Sequence, residues 1–559
     1  MQNTKSKTKR RLGFNGFLFL ITLALILSGC SGSPSSSQTS LETSSSGGSG
    51  LSEPGMLPIV NDKVELEIMI GSSPLITNFE ENHMTKKMEE WTNIHIKWNV
   101  VSDMGETKPL LLASNDLPEV FANAGITPEE QITYGDKGVF VDMAPLIESD
   151  GYYIKDMLEY DESVVSNITT PSGKIVSLPS YSMTYHMTAA NKLWVNRDWM
   201  ETLNLELPTT IDEFYNVLKA MKDGDPNGNG QTDEIPLSGV DVVSWNSAIP
   251  FVMSAFIVTD NQAGRYFVQP YDGTVDVVFN KPEWREGLKF LNKLYTEGLL
   301  DLEAFTQDSD LRKQKTENNQ IGFNAGNAPS SFAVSDSEAF QRYDAIPPLK
   351  NTEGKQVTAY TATPINVNGA FTITSACKNP VAAFKWADLL YNEELNMDNI
   401  FGDEGVHWRY AQEGEIGING EPAIYALLPQ YSSEGENASW SQVIHSFRSA
   451  EWRLGEVASS EENYYLRAGM ETRLYDATTL YEPHYDEDIV PVSIYIAEDR
   501  AKDYADIKTT IYEYMYECTA RFITGDMDIN SDSQWDSYVN ELENMGLSTY
   551  LSMTQEAVK

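Results

Sequence analysis

Apolar and polar residues alternate in short runs near the start of the folded body. In IHIKWNV, Ile94, Ile96, Trp98 and Val100 fall on one face, the period of a half-buried strand over 94–100. VELEIMI repeats the alternation more weakly and predicts a strand over 64–70. Between them Met84, Lys87, Met88 and Trp91 recur at helical spacing, predicting an amphipathic helix over 79–91. A helix over 108–114 leads through LPEV to a third strand, and GVFVDMAPLI repeats the strand pattern. Strands and helices alternating at this spacing predict βαβ units and a mostly parallel, doubly wound sheet, so the fold class is α/β.

The pattern changes near Gly173, where KIVSLPSY reads as a chain crossing into another lobe. A strand is predicted over 192–197. Asp198 then caps a helix holding Trp199, Met200 and Leu203. Thr210 and Glu213 form a capping box for the helix IDEFYNVLKAMK. Farther on, 283–297, 380–396 and 498–524 are helical in pattern. Trp91 and Trp199 sit on apolar helical faces and are expected in the core.

The chain's 559 residues exceed what one hydrophobic core supports, so two or more lobes are expected. With 40 Lys+Arg against 82 Asp+Glu the net charge is −42. Nucleic acid is excluded as a partner, because phosphate binding needs a basic surface. The three cysteines, Cys30, Cys377 and Cys518, form no CxxC pair, so neither a disulfide framework nor a zinc site is indicated. Cys30 has its own explanation. MQNTKSKTKRR is a basic n-region, and the apolar run after it is short for a bilayer span. Leu27-Ser28-Gly29-Cys30 resembles a bacterial lipobox, whose cysteine sulfur is diacylated after cleavage before it. Residues 1–29 are thus a leader and 30–56 a lipid-anchored Ser/Gly-rich tether. Its r.m.s. reach is about 25–30 Å, at 5–6 Å × √n.

Directly after IDEFYNVLKAMK comes DGDPNGNGQTDEIPL, in which oxygen donors recur around glycines. Asp225, Asn227 and Asn229 fall at positions 1, 3 and 5 of a cation loop, Gly230 at 6, Gln231 at 7, Asp233 at 9 and Glu234 at 10. Hard cations take six to eight oxygens, and this spacing turns alternate side chains toward one centre, calcium being favoured over magnesium on ligand number. Position 12 is Pro236, so the bidentate Glu of an EF-hand is missing there. A second register, from Asp223, places Glu234 at 12. The site reads as a structural clamp. Catalytic motifs are absent: there is no HExxH, GxSxG, Walker A or GxGxxG, and six histidines are scattered. The chain is expected not to be an enzyme.

LWVNRDWMETLNLELPTTIDEFYNVLKAMKDGDPNGNGQTDEIPL resembles a segment of the large extracellular solute-binding proteins of bacterial ABC importers, family 1, in its lipoprotein sugar-binding branch. LLLASNDLPEVF, FGDEGVHWRY and the tail FITGDMDINSDSQWDSYVNELENMGLSTYLSMTQEA match in the same order. The resemblance implies two α/β lobes joined by a hinge, closing over an oligosaccharide that is handed to a membrane permease. It implies a monomer lipid-anchored at the extracellular face, with calcium held at Asp225, Asn227, Asn229, Gln231, Asp233 and Glu234. One departure stands out: polyuronate carriers need a basic cleft, and this chain is acidic. The expected layout is a first lobe over 57–175, completed by a segment near 345–400, and a second over 176–345. Residues 346–559 return to complete both lobes and the hinge.

Sugars offer apolar faces and hydroxyl rims, so aromatic platforms with polar neighbours suit them. The candidates are Trp245, in the polar loop after the clamp, with Asp241 beside it. Glu404, His407, Trp408 and Arg409 follow in FGDEGVHWRY, then Tyr181 and Tyr185 after the presumed crossover, and Trp440 in GENASWSQ. Alternative readings are a cell-surface carbohydrate sensor or adhesin ectodomain, or an exported glycoside hydrolase.

Overall fold

The computed structural model describes residues 50–558 apart from 243, 260–266, 269–272, 361–364, 430–436, 442 and 487–493. The leader, Cys30 and the tether up to residue 49 lie outside the described residues. From Gly50 the chain is already folded: Leu51 bridges Val60, and the Lys385 ammonium donates to the Ser52 carbonyl at 2.5 Å. The tether therefore ends earlier than the Ser/Gly composition over 30–56 suggests. No described helix is long and apolar enough to cross a membrane.

Two sheets organise the body. The first has six strands in the order Phe447–Arg448, Leu178–Ser182, Ile365–Ile373, Val120–Ala122, Val64–Gly71 and Ile94–Val101. Val64–Gly71 runs parallel to Ile94–Val101 and to Val120–Ala122, whereas Ile365–Ile373 is antiparallel to both of its neighbours. The second has four strands in the order Tyr343–Ile346, Leu193–Asn196, Ile321–Ala325 and Ile235–Ser238. Only its last pair is parallel. Both sheets are thus mixed: one strand, Ile365–Ile373, runs against its neighbours in the first and one, Leu193–Asn196, in the second, while the late strand Phe447–Arg448 enters parallel to Leu178–Ser182.

Leu178–Ser182 belongs to the first sheet, so the chain crosses between lobes after Ser182 and not near Gly173 or at residue 176. It returns between Ile346 and Ile365. It leaves again after Arg448 toward the helix Met470–Thr479, which packs with Trp194, Phe340 and Tyr343 of the second lobe. A short parallel pair, Thr358–Ala359 with Tyr485–Asp486, links two connecting segments.

Local sequence explains most boundaries. The helix His83–Thr92 starts at Asn82, whose side chain accepts from Met84 N. Thr210 and Glu213 form the expected capping box on Ile211–Asp223. Asp198 is not a cap: Asn196 accepts from Trp199 N, and Asp198 lies in the first turn of Arg197–Thr202. The helix expected over 380–396 is broken, Pro380–Leu389 being followed by Glu393–Phe401 with Asn392 as its own N-cap. GVFVDMAPLI forms no regular strand. Phe140 bridges Thr374 singly, and Asp142 turns the chain by accepting from Ala144 N and Ile175 N.

Each lobe has its own core. The first packs Ile68, Ile96, Phe371, Trp98, Trp386 and Trp440, and the second Trp199, Phe214, Trp284, Leu291 and Trp535. Burying one such indole removes about 150–250 Å² from water, an upper bound of ~4–6 kcal/mol at 25 cal/mol/Å².

Candidate functional site

In the first lobe, the parallel strands Val64–Gly71 and Val120–Ala122 end at one sheet edge, where Leu178–Ser182 also ends and Ile365–Ile373 begins. In the second, Ile235–Ser238 and Ile321–Ala325 end at the edge where Leu193–Asn196 begins. Residues 183–192 run directly from one edge to the other. Carboxyl ends of strands at such a crossover are where open α/β sheets bind ligands.

Trp245 stands on this second-lobe edge, in the loop that follows Ile235–Ser238. It is 44% exposed, unusual for a tryptophan and available as a platform. Hydrogen bonds tie the loop beneath it. Val240 N donates to the Asn246 carbonyl, and Ser247 Oγ donates to the carbonyls of Asp241 and Val242. Asn191 Nδ2 reaches the Ser244 carbonyl at 3.1 Å, tying the crossover to the same loop. Two buried oxygens at these edges have no hydrogen-bond partner, Asn246 Oδ1 beside Trp245 and Ser182 Oγ at the first-lobe edge. A hydroxylated ligand supplies donors of the kind such atoms want. On the first-lobe edge Asn123, Asn366 and Asn368 are exposed, and Tyr495 donates to the Asn167 carbonyl at 3.0 Å.

The other sequence candidates divide sharply. Asp241 shares the Trp245 loop, but its carboxylate accepts from Val242 N and its backbone is left-handed at φ 65°, so it shapes the turn. Tyr185 lies half-buried in the crossover and donates to Glu482 at 3.0 Å. Tyr181 is 2% exposed, packed against Tyr160 and Phe447, because its strand is an inner one of the first sheet. Trp440 is fully buried, donating to Thr85 Oγ1 at 3.0 Å with its ring against Trp98 and Trp386. It is a core residue and faces no cleft.

FGDEGVHWRY is a closed turn and not an open binding loop. Trp408 is buried, donating to Asp398 and the Gly402 carbonyl, and His407 Nδ1 accepts from Asp403 N. Arg409 is clamped on Glu415 at 2.7 and 2.8 Å. Glu404 is exposed but bridged to Trp408. The Gly-flanked, polar look of this segment comes from the turn itself.

At the opposite end of Ile235–Ser238 lies the oxygen-rich loop, about 13 Å away at 3.3 Å per residue. Gly228 and Gly230 adopt φ of 68° and 70°, which only glycine takes readily. Asp225 accepts from Asn229 N and Gly230 N at 3.0 Å, and Asn229 Oδ1 accepts from Gln231 N at 2.7 Å. Asn229 and Gln320 donate to Asp233, holding its carboxyl below the usual range, the Asn229 bond most of all. Asn227 ties the loop to the rest of the lobe by donating to the Asn319 carbonyl. Glu234 is 1% exposed and its Oε1 is buried with no hydrogen-bond partner. Among the described residues no three His, Cys, Asp or Glu side chains gather as a metal cluster. The donor set here is instead carboxylate with amide and main-chain oxygen, the chemistry calcium takes. The orphaned Glu234 oxygen fits such an ion.

Two α/β lobes joined by repeated crossings are the architecture of solute-binding proteins. The chain belongs to the bacterial extracellular solute-binding protein family, whose profile matches residues 77–397, more than half its length. It is 28% identical over 514 residues to the fructooligosaccharide ABC transporter substrate-binding protein FusA of Streptococcus pneumoniae, covering 89% of this chain and 90% of that one. The fold superposes on FusA in complex with kestose at a TM-score of 0.73 and 27% identity, across 88% of this chain and 98% of that one. An EF-hand mutant of FusA in complex with fructo-nystose gives 0.72 at the same identity and coverage.

Arg312, buried beneath the Trp245 loop, was not legible in the sequence. It stands in SDLRKQKTE, where a charged residue on a polar helix carries no periodic signal of burial.

Proposed function

We propose that this protein is a lipid-anchored extracellular binder of a neutral oligosaccharide of the fructan type, which it delivers to an ABC import permease without altering it. Trp245 is the observation that carries the reading: an exposed indole on a hydrogen-bonded loop at the crossover edge of the second lobe. Kinship with FusA supports the sugar class, and the acidic composition disfavours polyuronates. Lipobox and basic n-region support the anchor at Cys30.

Calcium is proposed at the loop, with Asp225, Asn227, Asn229, Asp233, Glu234 and the Gln231 main chain as its donors. Bound there, it would act as an electrostatic clamp. Since the loop and Trp245 occupy opposite ends of one strand, the ion stiffens the second lobe and does not touch the sugar. An EF-hand in FusA is consistent with this role.

Isothermal titration of the chain from residue 30 with kestose, nystose, malto-oligosaccharides and polygalacturonate tests the proposal. Saturable binding of the fructans, with no product seen by chromatography, is expected. Binding of polygalacturonate alone overturns the sugar class, and hydrolysis overturns the binder.

A further inference from the structure

We propose that Arg312 is the positioning residue of the sugar site, a buried guanidinium that fixes the loop carrying Trp245. The inference rests on the reading of Trp245 as the ligand platform. Arg312 lies on the helix Ser309–Glu317, started by Asp308 accepting from Leu311 N. It is 0% exposed. Nη1 donates to the carbonyls of Ala325 at 2.7 Å and Asn246 at 3.3 Å, and Nη2 to that of Ser331 at 2.9 Å. The guanidinium also lies 5.9 Å from the centre of the Phe332 ring.

Those three carbonyls come from three separate segments that the guanidinium joins. Ala325 ends one of the two inner strands of the second sheet, Ser331 lies in the short turn of helix that follows, and Asn246 is the neighbour of Trp245. Their closeness shows at Gly326, where an added Cβ would meet Ser331 Oγ at 2.3 Å and Asn246 Oδ1 at 3.3 Å. Asp301, the acid whose charge favours the guanidinium, is itself held by Lys315 at 3.0 Å. Burial draws the Arg312 pKa down to about 10, so it stays charged at neutral pH. A buried charge answered by carbonyls is costly to keep where packing alone would serve. The planar fork reaches three acceptors at fixed angles, which a lysine ammonium on a flexible stem cannot copy. Arg312 therefore sets where the indole stands without touching ligand.

Hydrogen exchange on Arg312→Lys, in the chain from residue 30, is the test. Peptides covering 239–248 and 326–332 are expected to exchange at least tenfold faster, with the strand Val64–Gly71 and loop 223–234 unchanged. Uniform acceleration would assign Arg312 to general stability, and no change would remove it altogether; either overturns the proposal. Arg312→Gln serves if the lysine variant fails to fold. Kestose titration of Arg312→Lys, Trp245→Ala and the double variant separates the two readings. The expected result is a roughly tenfold loss for Arg312→Lys that vanishes in the Trp245→Ala background. Full additivity sinks the positioning role. A Trp245→Ala variant that binds normally, or wild type that ignores kestose, sinks the platform reading while the exchange result still judges Arg312.

Discussion

Arg453 Nη2 closes on both carboxylate oxygens of Glu471 at 2.9 Å. Arg453 lies in the last turn of a helix, Ala450–Leu454, that follows the last strand of the first sheet. Glu471 begins a helix packed on the second lobe, so the pair spans the third crossing. Burial alone would raise the Glu471 carboxyl; the charges of Arg453 and, less strongly, Arg448 draw it down to about 2 instead. Its contribution is present above the ordinary carboxylate pKa near 4.5 and is lost as pH falls toward 2. Arg453→Met is expected to cost about 3 kcal/mol in urea denaturation, because it strands a buried carboxylate. A cost under ~1 kcal/mol would mean that the pair is solvated.

The calcium clamp predicts a metal-dependent melting temperature. Calcium at a hundred times its Kd is expected to add about 2.7 kcal/mol, reversed by EGTA. Glu234→Gln should abolish the gain, since its orphaned oxygen is the buried donor. Kestose affinity should change less than Trp245→Ala changes it. An identical melting curve with and without EGTA counts against the ion.

Trp440 and Trp245 should respond in opposite ways. Trp440→Ala removes a fully buried indole and its bond to Thr85, at about 3–5 kcal/mol of stability. Trp245→Ala is expected to leave stability within ~0.5 kcal/mol and to weaken sugar binding at least tenfold. Thermal shift and titration on the same two variants decide the matter.

His445 predicts an acid-side loss of stability. It is 1% exposed, between the rings of Phe371 and Tyr391, with Nε2 on the Ala387 carbonyl. Burial pushes its pKa down to about 4 from an unfolded value near 6.5. The unfolded chain therefore takes up the proton first. Stability falls as pH drops from 6.5 toward 4, by up to ~3 kcal/mol at 1.36 kcal/mol per unit. His445→Phe should flatten the slope of denaturation free energy against pH over that window; an unaltered slope would refute the assignment.

Local signals in the sequence carried well. The alternation at Ile94, Ile96 and Trp98, the box at Thr210 and Glu213, and the Asn/Gly loop all depend on neighbours within a few residues, and the structure holds each where expected, whereas Val100, read onto the same face as Ile94, is 44% exposed near the strand's end. Trp245 stood out because an indole in SWNS has no apolar periodicity to bury it. Trp440 and Trp408 misled for the opposite reason. Their partners, Thr85, Trp98 and Asp398, are brought to them by tertiary packing, and nothing in GENASWSQ or GVHWRY displays that. The mixed sheets escaped the βαβ pattern because their antiparallel members come from distant parts of the chain.

The long reach of the first sheet sets a schedule for its birth. Ser180 Oγ donates to the Ser446 carbonyl across 266 positions, and the outer strand Phe447–Arg448 completes an array begun at Val64. At ~5–20 residues per second, roughly 13–50 s of synthesis separate the two partners. In all that time one side of the Leu178–Ser182 strand lacks its neighbour, an unpaired edge of the kind that aggregates. The first lobe cannot close until most of the chain's length has been made.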